Sequence, residues 1–161
     1  MVSTFVDARN LASLYDLPTM AWAAVEERLA AGIAQAPGDG GPDRHTCWLA
    51  TIDPDGAPHV TGIGAVWHEG TFWFETGRTT RKGRNLARDP RVGILIVYPD
   101  DPYRYVEIRG RAQLTPDPEN ALGNELSHEY LGEDAPEEPD WVRRVAVRVV
   151  ADRLTGPVAA G

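Results

Sequence analysis

The sequence lacks most of the residues that build disulfides, cysteine metal clusters and membrane spans. Its 161 residues include a single cysteine, Cys47. One thiol forms neither an internal disulfide nor a cysteine cluster, and its place in an apolar stretch predicts a buried, inert side chain. No run of about 18 apolar residues occurs, so we expect no membrane span. The beginning of the chain lacks the basic start and apolar core of a signal peptide, which predicts a cytoplasmic protein.

Basic charge is also scarce. The chain carries 16 Lys and Arg against 24 Asp and Glu, a formal net charge of -8. Because nucleic-acid phosphates require a basic surface, this balance argues against general nucleic-acid binding. The four histidines are spread out, with no second ligand at metal spacing, so we predict no metal site. We favour a structural or surface role for them, although His59 could face a cleft.

The chain nevertheless has enough apolar sequence for one folded domain. Hydrophobic residues make up 42% of it, which suits a single domain with a real core. We expect a helical N-terminal extension over residues 1–44, a β domain over 45–154 and a loose tail over 155–161. The extension would contain a helix over residues 20–36 and a flexible linker over 37–42.

Alternating and wholly apolar stretches predict six strands. They cover residues 46–52, 58–67, 71–76, 92–98, 105–114 and 142–150. Residues 92–98 are nearly all apolar, which predicts a central strand buried on both faces. Short turns, such as the one from Asp53 to Gly56, favour antiparallel neighbours. We therefore predict a mainly β fold with flanking helices, including one over residues 116–131, whose strands could close into a small barrel.

The most informative stretch runs from residue 71 to residue 92. A strand ends at Gly77, and Thr79 or Thr80 can cap a helix that Asp89 and Pro90 stop, with Leu86 and Ala87 facing inward. Its turn and first helical turn hold four cations: Arg78, Arg81, Lys82 and Arg84. Free N–H groups, a positive dipole end, hydroxyls and cations together suit a phosphate. The alternative is a solvated basic helix face.

Two glycines, Gly62 and Gly64, lie in the second predicted strand. Strand glycines often mark the close approach of a ligand or another backbone. A bend of the barrel explains them equally well, and the sequence leaves both interpretations open.

Several motifs, in order and at this spacing, resemble the split β-barrel superfamily of flavin- and deazaflavin-dependent oxidoreductases, which includes the pyridoxamine 5'-phosphate oxidases. The resemblance covers about residues 44–150. It is carried by Leu49-Ala50-Thr51, Asp55-Gly56-Ala57-Pro58, Trp73-Phe74-Glu75-Thr76, Thr80-Arg81-Lys82, Asn85-Leu86, Asp89-Pro90-Arg91-Val92 and Glu107-Ile108-Arg109-Gly110-Arg111-Ala112. It implies a six-stranded antiparallel split β-barrel and a homodimer, with two cofactors in clefts between the subunits.

The resemblance implies a cofactor site in two parts. The phosphate would lie against Thr79, Thr80 and Lys82, with Arg81 or Arg84 assisting. The ring would lie along residues 60–63, whose backbone amides would contact its polar edges, and residues 73–76 would flank it. The cofactor-binding residues predicted in this way are Val60, Thr61, Gly62, Ile63, Glu75, Thr76, Thr79, Thr80, Arg81 and Lys82.

One departure from the superfamily pattern bears on the cofactor. Oxidases that use flavin mononucleotide (FMN) usually carry an arginine on the second strand that helps to hold its phosphate. The comparable strand here reads HVTGIGAV and has no arginine. The sequence is instead similar to the branch that binds the deazaflavin coenzyme F420, whose phosphodiester and glutamate tail suit the cations around Lys82. We therefore predict F420, with FMN as the alternative.

The resemblance also implies the reaction, which is hydride transfer to a small organic acceptor. Since the cofactor would carry that chemistry, the sequence predicts no catalytic residue, although Tyr103 or Tyr105 could donate a proton. A non-catalytic protein that binds or stores flavin, deazaflavin or haem is the alternative. An interaction module that uses the basic helix is a third interpretation, which the acidic total disfavours.

Overall fold

A computed structural model of the chain describes residues 7–10, 46–68, 71–98, 101–137, 139 and 142–156. The helix predicted over residues 20–36 and the linker over 37–42 lie outside these residues. In the described part, no helix has both the length and the apolar character that a membrane crossing requires.

The described residues form eight strands and two helices. In chain order they are β1 (Asp7–Asn10), β2 (Thr46–Ile52), β3 (Pro58–Gly64), β4 (Val66–His68), β5 (Thr71–Gly77), α1 (Arg81–Arg88), β6 (Arg91–Tyr98), β7 (Asp101–Pro116), α2 (Ala121–Leu131) and β8 (Arg144–Gly156).

The sheet curls so that its two end strands, β3 and β4, follow each other directly in the chain. The strand order is β3-β2-β6-β7-β8-β5-β4, with antiparallel neighbours throughout. Ala65 alone separates β3 from β4, so the strand predicted over residues 58–67 pairs with β2 through its first half and with β5 through its second. The predicted mainly β fold of six long antiparallel strands, curled as a split barrel, is confirmed.

The core fills the inside of this curled sheet. Val145, Val147 and Val149 of β8 are buried and face the same way, and Phe74 of β5 is fully buried. In β6, Val92, Ile94 and Ile96 are buried, but the alternate residues 93, 95 and 97 are half-buried. The prediction that this strand is buried on both faces is therefore wrong for the single chain, because the curl encloses only the inner face.

Several element boundaries differ from the prediction. β1 adds a strand parallel to β8, in a region whose sequence showed no strand pattern. α2 begins at Ala121 rather than near residue 116, because the Asp117 carboxylate accepts hydrogen bonds from the N–H groups of Ala121 and Leu122, each at 2.9 Å. It ends at Gly132 as predicted, with φ 74°. β8 continues through Gly156, so residues 155 and 156, predicted to lie in a loose tail, belong to the strand.

Candidate functional site

Thr80 is the N-cap of α1 and organises the turn before it. Its Oγ1 accepts from the Gly83 N–H at 3.1 Å and donates to the Gly77 carbonyl at 2.7 Å. Thr76 Oγ1 lies 3.1 Å from the same hydroxyl. The helix buries Gly83, Asn85 and Leu86, whereas Ala87, predicted to face inward, is exposed.

The segment before β8 supports the same turn. The Arg78 N–H donates to the Arg143 carbonyl at 2.9 Å, and Thr79 Oγ1 donates to the Val142 carbonyl at 3.4 Å. A Cβ atom at Gly77 would lie 2.4 Å from a Val142 methyl, so glycine is needed for this close approach. The Thr79 and Thr80 hydroxyls, predicted as phosphate ligands, thus already make hydrogen bonds within the protein.

Arg81, another predicted phosphate ligand, is paired with an acid. Its Nε donates to Asp53 Oδ1 at 3.0 Å, and its Nη2 also donates to that carboxylate. Asn85 contributes a further hydrogen bond, and the two residues together hold the pKa of Asp53 at about 2. Arg81 therefore links α1 to the turn after β2, a partner that no local sequence signal indicated.

Lys82 is half-buried in the first turn of α1. Burial lowers the pKa of its ammonium, the nearby Glu75 carboxylate opposes that shift, and Arg144 adds to it. Lys82 is also the only lysine among the 16 cationic residues. This count was available from the sequence, and it singles out the one compact, titratable cation from 15 arginines.

Glu75 and Thr76 were predicted to flank one site, but successive strand residues point to opposite faces. Thr76 is buried and contacts Thr80. Glu75 accepts from Arg144 Nη1 at 2.5 Å and 2.6 Å. Burial raises the pKa of Glu75, and Arg144 and Lys82 act against that rise. The structure therefore groups Glu75 with Lys82 and Arg144, and Thr76 with the helix cap.

The predicted ring-binding residues divide between the two faces of β3. Ile63 belongs to the core, whereas Val60 is 61% exposed. Within the described residues β3 has β2 as its only sheet neighbour, so its other edge presents backbone N–H and C=O groups that can contact the polar rim of a ring. A Cβ atom at Gly62 would meet only Trp48, at 3.8 Å. The chain changes partners at Ala65, next to Gly64 and not at Gly62. The bend of the barrel therefore does not account for Gly62, and close approach of a ligand there stays a prediction.

A cleft of about 500 Å³ lies beside α1. It is lined by Asp53, Pro54, Asp55, Arg81, Arg84, Asn85 and Arg88. A larger cleft of about 640 Å³ lies near the start of α2, and none of the predicted site residues lines it.

Metal-binding and thiol chemistry find no support in this part of the chain. The described residues contain no group of three His, Cys, Asp or Glu side chains that could hold a metal ion. Cys47 is buried, which raises the pKa of its thiol to about 12.

Comparison with known proteins is consistent with this geometry. The sequence profile of the family described as pyridoxamine 5'-phosphate oxidase matches residues 20–156. A solved structure of an F420 reductase is 32% identical, with a TM-score of 0.61, and the match covers 68% of this chain and 88% of that one. A conserved hypothetical protein from Mycobacterium tuberculosis is 30% identical, with a TM-score of 0.64 and coverage of 86% and 84%. General Stress Protein 26 from Bacillus anthracis, at 21% identity, TM-score 0.55 and coverage of 81% and 91%, shows the shared fold alone.

Proposed function

The chain belongs to the pyridoxamine 5'-phosphate oxidase family, and we propose that it is an oxidoreductase that uses coenzyme F420, with FMN as the alternative, to transfer hydride to a small organic acceptor. The observation that carries this proposal is Lys82, a half-buried cation with a lowered pKa at the start of a capped helix. A bound phosphate would stabilise its charged form and lie near the positive end of the helix dipole.

The described residues fit a cofactor with a phosphate and a planar ring. α1 offers Lys82 and the first-turn N–H groups that Thr80 does not cap. The edge of β3 that has no partner strand among the described residues offers alternating donors and acceptors. When bound, such a cofactor supplies the hydride. The protein would hold the phosphate at Lys82 and orient the ring along residues 60–63. Of the two tyrosines that could donate a proton, Tyr105 is half-buried on β7, and the side chain of Tyr103 lies outside the described part of the chain.

F420 is preferred to FMN for three reasons. No arginine stands on β3 or β4 to hold an FMN phosphate, and one similar solved structure is that of an F420 reductase. The cleft of about 500 Å³ beside α1 also carries three arginines, Arg81, Arg84 and Arg88. Arg81 is paired with Asp53 there, and Arg88 with Asn85 and the Ile52 carbonyl. The exposed Arg84 would therefore be the cation that meets the glutamate tail of F420.

We also propose that the functional form is a homodimer. The outer side of the sheet exposes apolar surface, with Trp48 47% exposed and Val60 61% exposed. Leu95, opposite Trp48 on β6, is half-buried on the same face. A groove of about 430 Å³ beside this apolar face has side chains of both charges, among them Arg111 and Asp152. Apolar surface next to charges of both signs suits isologous pairing of two copies.

Spectroscopic titration of the purified protein tests the proposed cofactor. We expect F420 to bind more tightly than FMN at equal ionic strength, and the reduced deazaflavin to be oxidised in the presence of a suitable acceptor. Equal or reversed affinities would favour FMN. Tight binding without oxidation across a broad acceptor panel would instead support the non-catalytic binding function.

Amine labelling provides a second readout that does not depend on activity. Because Lys82 is the only lysine, reductive methylation modifies this side chain and the N-terminal amine alone. We expect bound F420 to protect Lys82 from methylation while the N-terminal amine reacts as before. If Lys82 is methylated equally with and without the cofactor, Lys82 does not contact the cofactor and its assignment to the site is wrong.

A further inference from the structure

A buried polar network joins α1, the proposed phosphate-binding helix, to β3, the proposed ring-binding strand. Its centre is Asn85, which is 2% exposed. The Asn85 amide donates to Thr51 Oγ1 at 3.1 Å and to Asp53 Oδ1 at 2.9 Å, and its oxygen accepts from Arg88 Nη2 at 3.1 Å. The amide N–H groups and the carbonyl are all engaged, which fixes the side chain in one orientation.

The network reaches both parts of the proposed site. At the helix end, Arg81 pairs with Asp53 and is the direct neighbour of Lys82. At the strand end, Thr51 Oγ1 lies 3.5 Å from His59 Nδ1, and His59 immediately precedes Val60. Thr51 and Asp53 are themselves buried. Removing one member would therefore leave buried polar groups without partners, which makes the arrangement specific.

Directional contacts of this kind set a distance in a way that apolar packing does not. Leu86, also 2% exposed, anchors α1 in the core. Apolar attraction is non-directional, so it favours contact without defining how far Lys82 stands from β3. Asn85 donates to Thr51 of β2, the strand beside the ring-binding strand, and to Asp53 of the turn after β2, and these hydrogen bonds do define that separation.

We propose that Asn85 is a positioning residue: through Thr51 and Asp53 it holds the Lys82 end of α1 at a fixed separation from β3, so that one cofactor engages both. This inference rests on the proposed function. Two linked parts of a ligand reinforce each other only when their sites are held at a separation that the linker spans. A loosened helix would still bind phosphate, and β3 would still bind a ring, but the gain from joining them would be lost.

The test compares ligands that share a ring and differ in the phosphate. FMN and riboflavin form one pair, and F420 and its phosphate-free ring-ribityl fragment form the other. Dissociation constants are measured by fluorescence titration for the wild type, Asn85→Ala and Thr51→Val. Valine matches threonine in shape and strand preference but has no hydroxyl, and Thr51→Ser, which retains the hydroxyl, is the matched control.

The decisive quantity is the ratio of the dissociation constant of the phosphate-free ligand to that of the phosphorylated one. We expect this ratio to fall by about tenfold in Asn85→Ala and Thr51→Val, as linked-site binding predicts. Affinities for riboflavin and inorganic phosphate should change by less than about twofold, because each separate site stays intact. Thr51→Ser should retain the wild-type ratio.

The other outcomes separate this inference from the proposed function. If Asn85 and Thr51 are merely structural, their variants weaken all ligands in parallel and leave the ratio unchanged, which overturns the inference alone. A wild-type ratio of one for both ligand pairs means that no phosphate site exists, which overturns the proposed function as well. Thr51→Val alters the strand and not the helix, so it keeps the test decisive if Asn85→Ala does not fold.

Discussion

At the scale of single residues, Lys82 is the side chain on which the proposed site depends most. Lys82→Ala should weaken cofactor binding by about 1.5–3 kcal/mol, the range of a charge-assisted hydrogen bond, or roughly ten- to a hundredfold in dissociation constant. The fold should survive, because the ammonium is only half-buried and its removal relieves a desolvated charge. Titration with FMN and F420, together with thermal unfolding, measures both effects.

The control for Lys82→Ala must remove one cation without disturbing α1. Arg88 lies on the same helix, but its guanidinium donates to the Ile52 carbonyl and to Asn85, so its removal would disturb the packing of α1. Arg148, exposed on β8, is the better choice. If Arg148→Ala weakens binding as much as Lys82→Ala does, and added salt abolishes both effects, the helix is only a screened cationic surface.

Asp53 supplies a second test at this scale, through the acid dependence of stability. Its pKa is about 2 in the folded protein, below the ordinary value of 3.8, chiefly because Arg81 and Asn85 donate hydrogen bonds to it. A carboxyl with a lowered pKa stabilises the fold above its unfolded pKa, and this contribution is lost as pH falls through the folded pKa. We therefore expect the free energy of unfolding to decrease between about pH 4 and pH 2.

Urea unfolding at several pH values measures this decrease. Asp53→Asn should be less stable near neutral pH and should show a shallower decline on acidification than the wild type. Glu125, which is exposed on α2, lies outside the network, and Glu125→Gln is the matched control. An acid slope that Asp53→Asn leaves unchanged would show that the pair with Arg81 does not stabilise the fold.

At the scale of elements, β3 tests whether its glycine serves the fold or a ligand. A Cβ atom at Gly62 would make only an ordinary contact with Trp48, at 3.8 Å, so Gly62→Ala should fold with nearly unchanged stability. If the ring lies against this strand, the added methyl should weaken cofactor binding by roughly tenfold, the scale of a lost close contact. Isothermal titration with F420 and thermal unfolding provide the two measurements.

Gly93 of β6 provides the comparison for Gly62. A Cβ atom there would also make one ordinary contact, with the Ala50 methyl at 3.7 Å, and the residue lies outside the proposed site. Gly93→Ala should leave cofactor affinity unchanged within about twofold, since it touches no proposed contact. If Gly62→Ala binds the cofactor as tightly as the wild type, the glycine serves the backbone geometry of β3 and not a ligand.

The elements were mostly predictable, because their signals are local. The strand over residues 46–52 was placed at its observed limits, and the Thr80 cap and Asp89 stop define α1 as expected. The N-terminal limit of α2 was not predictable from periodicity. Asp117 caps that helix from four and five residues away, and the intervening Asn120 has φ 53°. A side chain that satisfies N–H groups beyond the nearest turn leaves no periodic signal.

At the scale of the whole molecule, the exposed outer face predicts association. We expect the wild type to have the mass of a dimer in light scattering at micromolar concentration. Trp48→Arg should give monomers, because a desolvated, unpaired charge would be placed in a symmetric interface. Trp48 is 47% exposed in the single chain, so the substitution should change the stability of the monomer fold little. If the wild type has the mass of a monomer, both the proposed homodimer and the cofactor cleft shared between subunits are wrong.

The sequence by itself determined the mainly β class, the order of the six long strands and the location of the basic, capped helix, because alternation, turns and caps are properties of near neighbours. Only the tertiary structure decided which cation is available: Arg81 pairs with Asp53, 28 positions earlier in the chain, and Lys82 does not. It also decided that Glu75 pairs with Arg144, 69 positions later in the chain, and that the chain changes sheet partners at Ala65. These features depend on which strands pair and in what register, and the free energy that selects a register comes from the assembled core rather than from any short stretch of sequence.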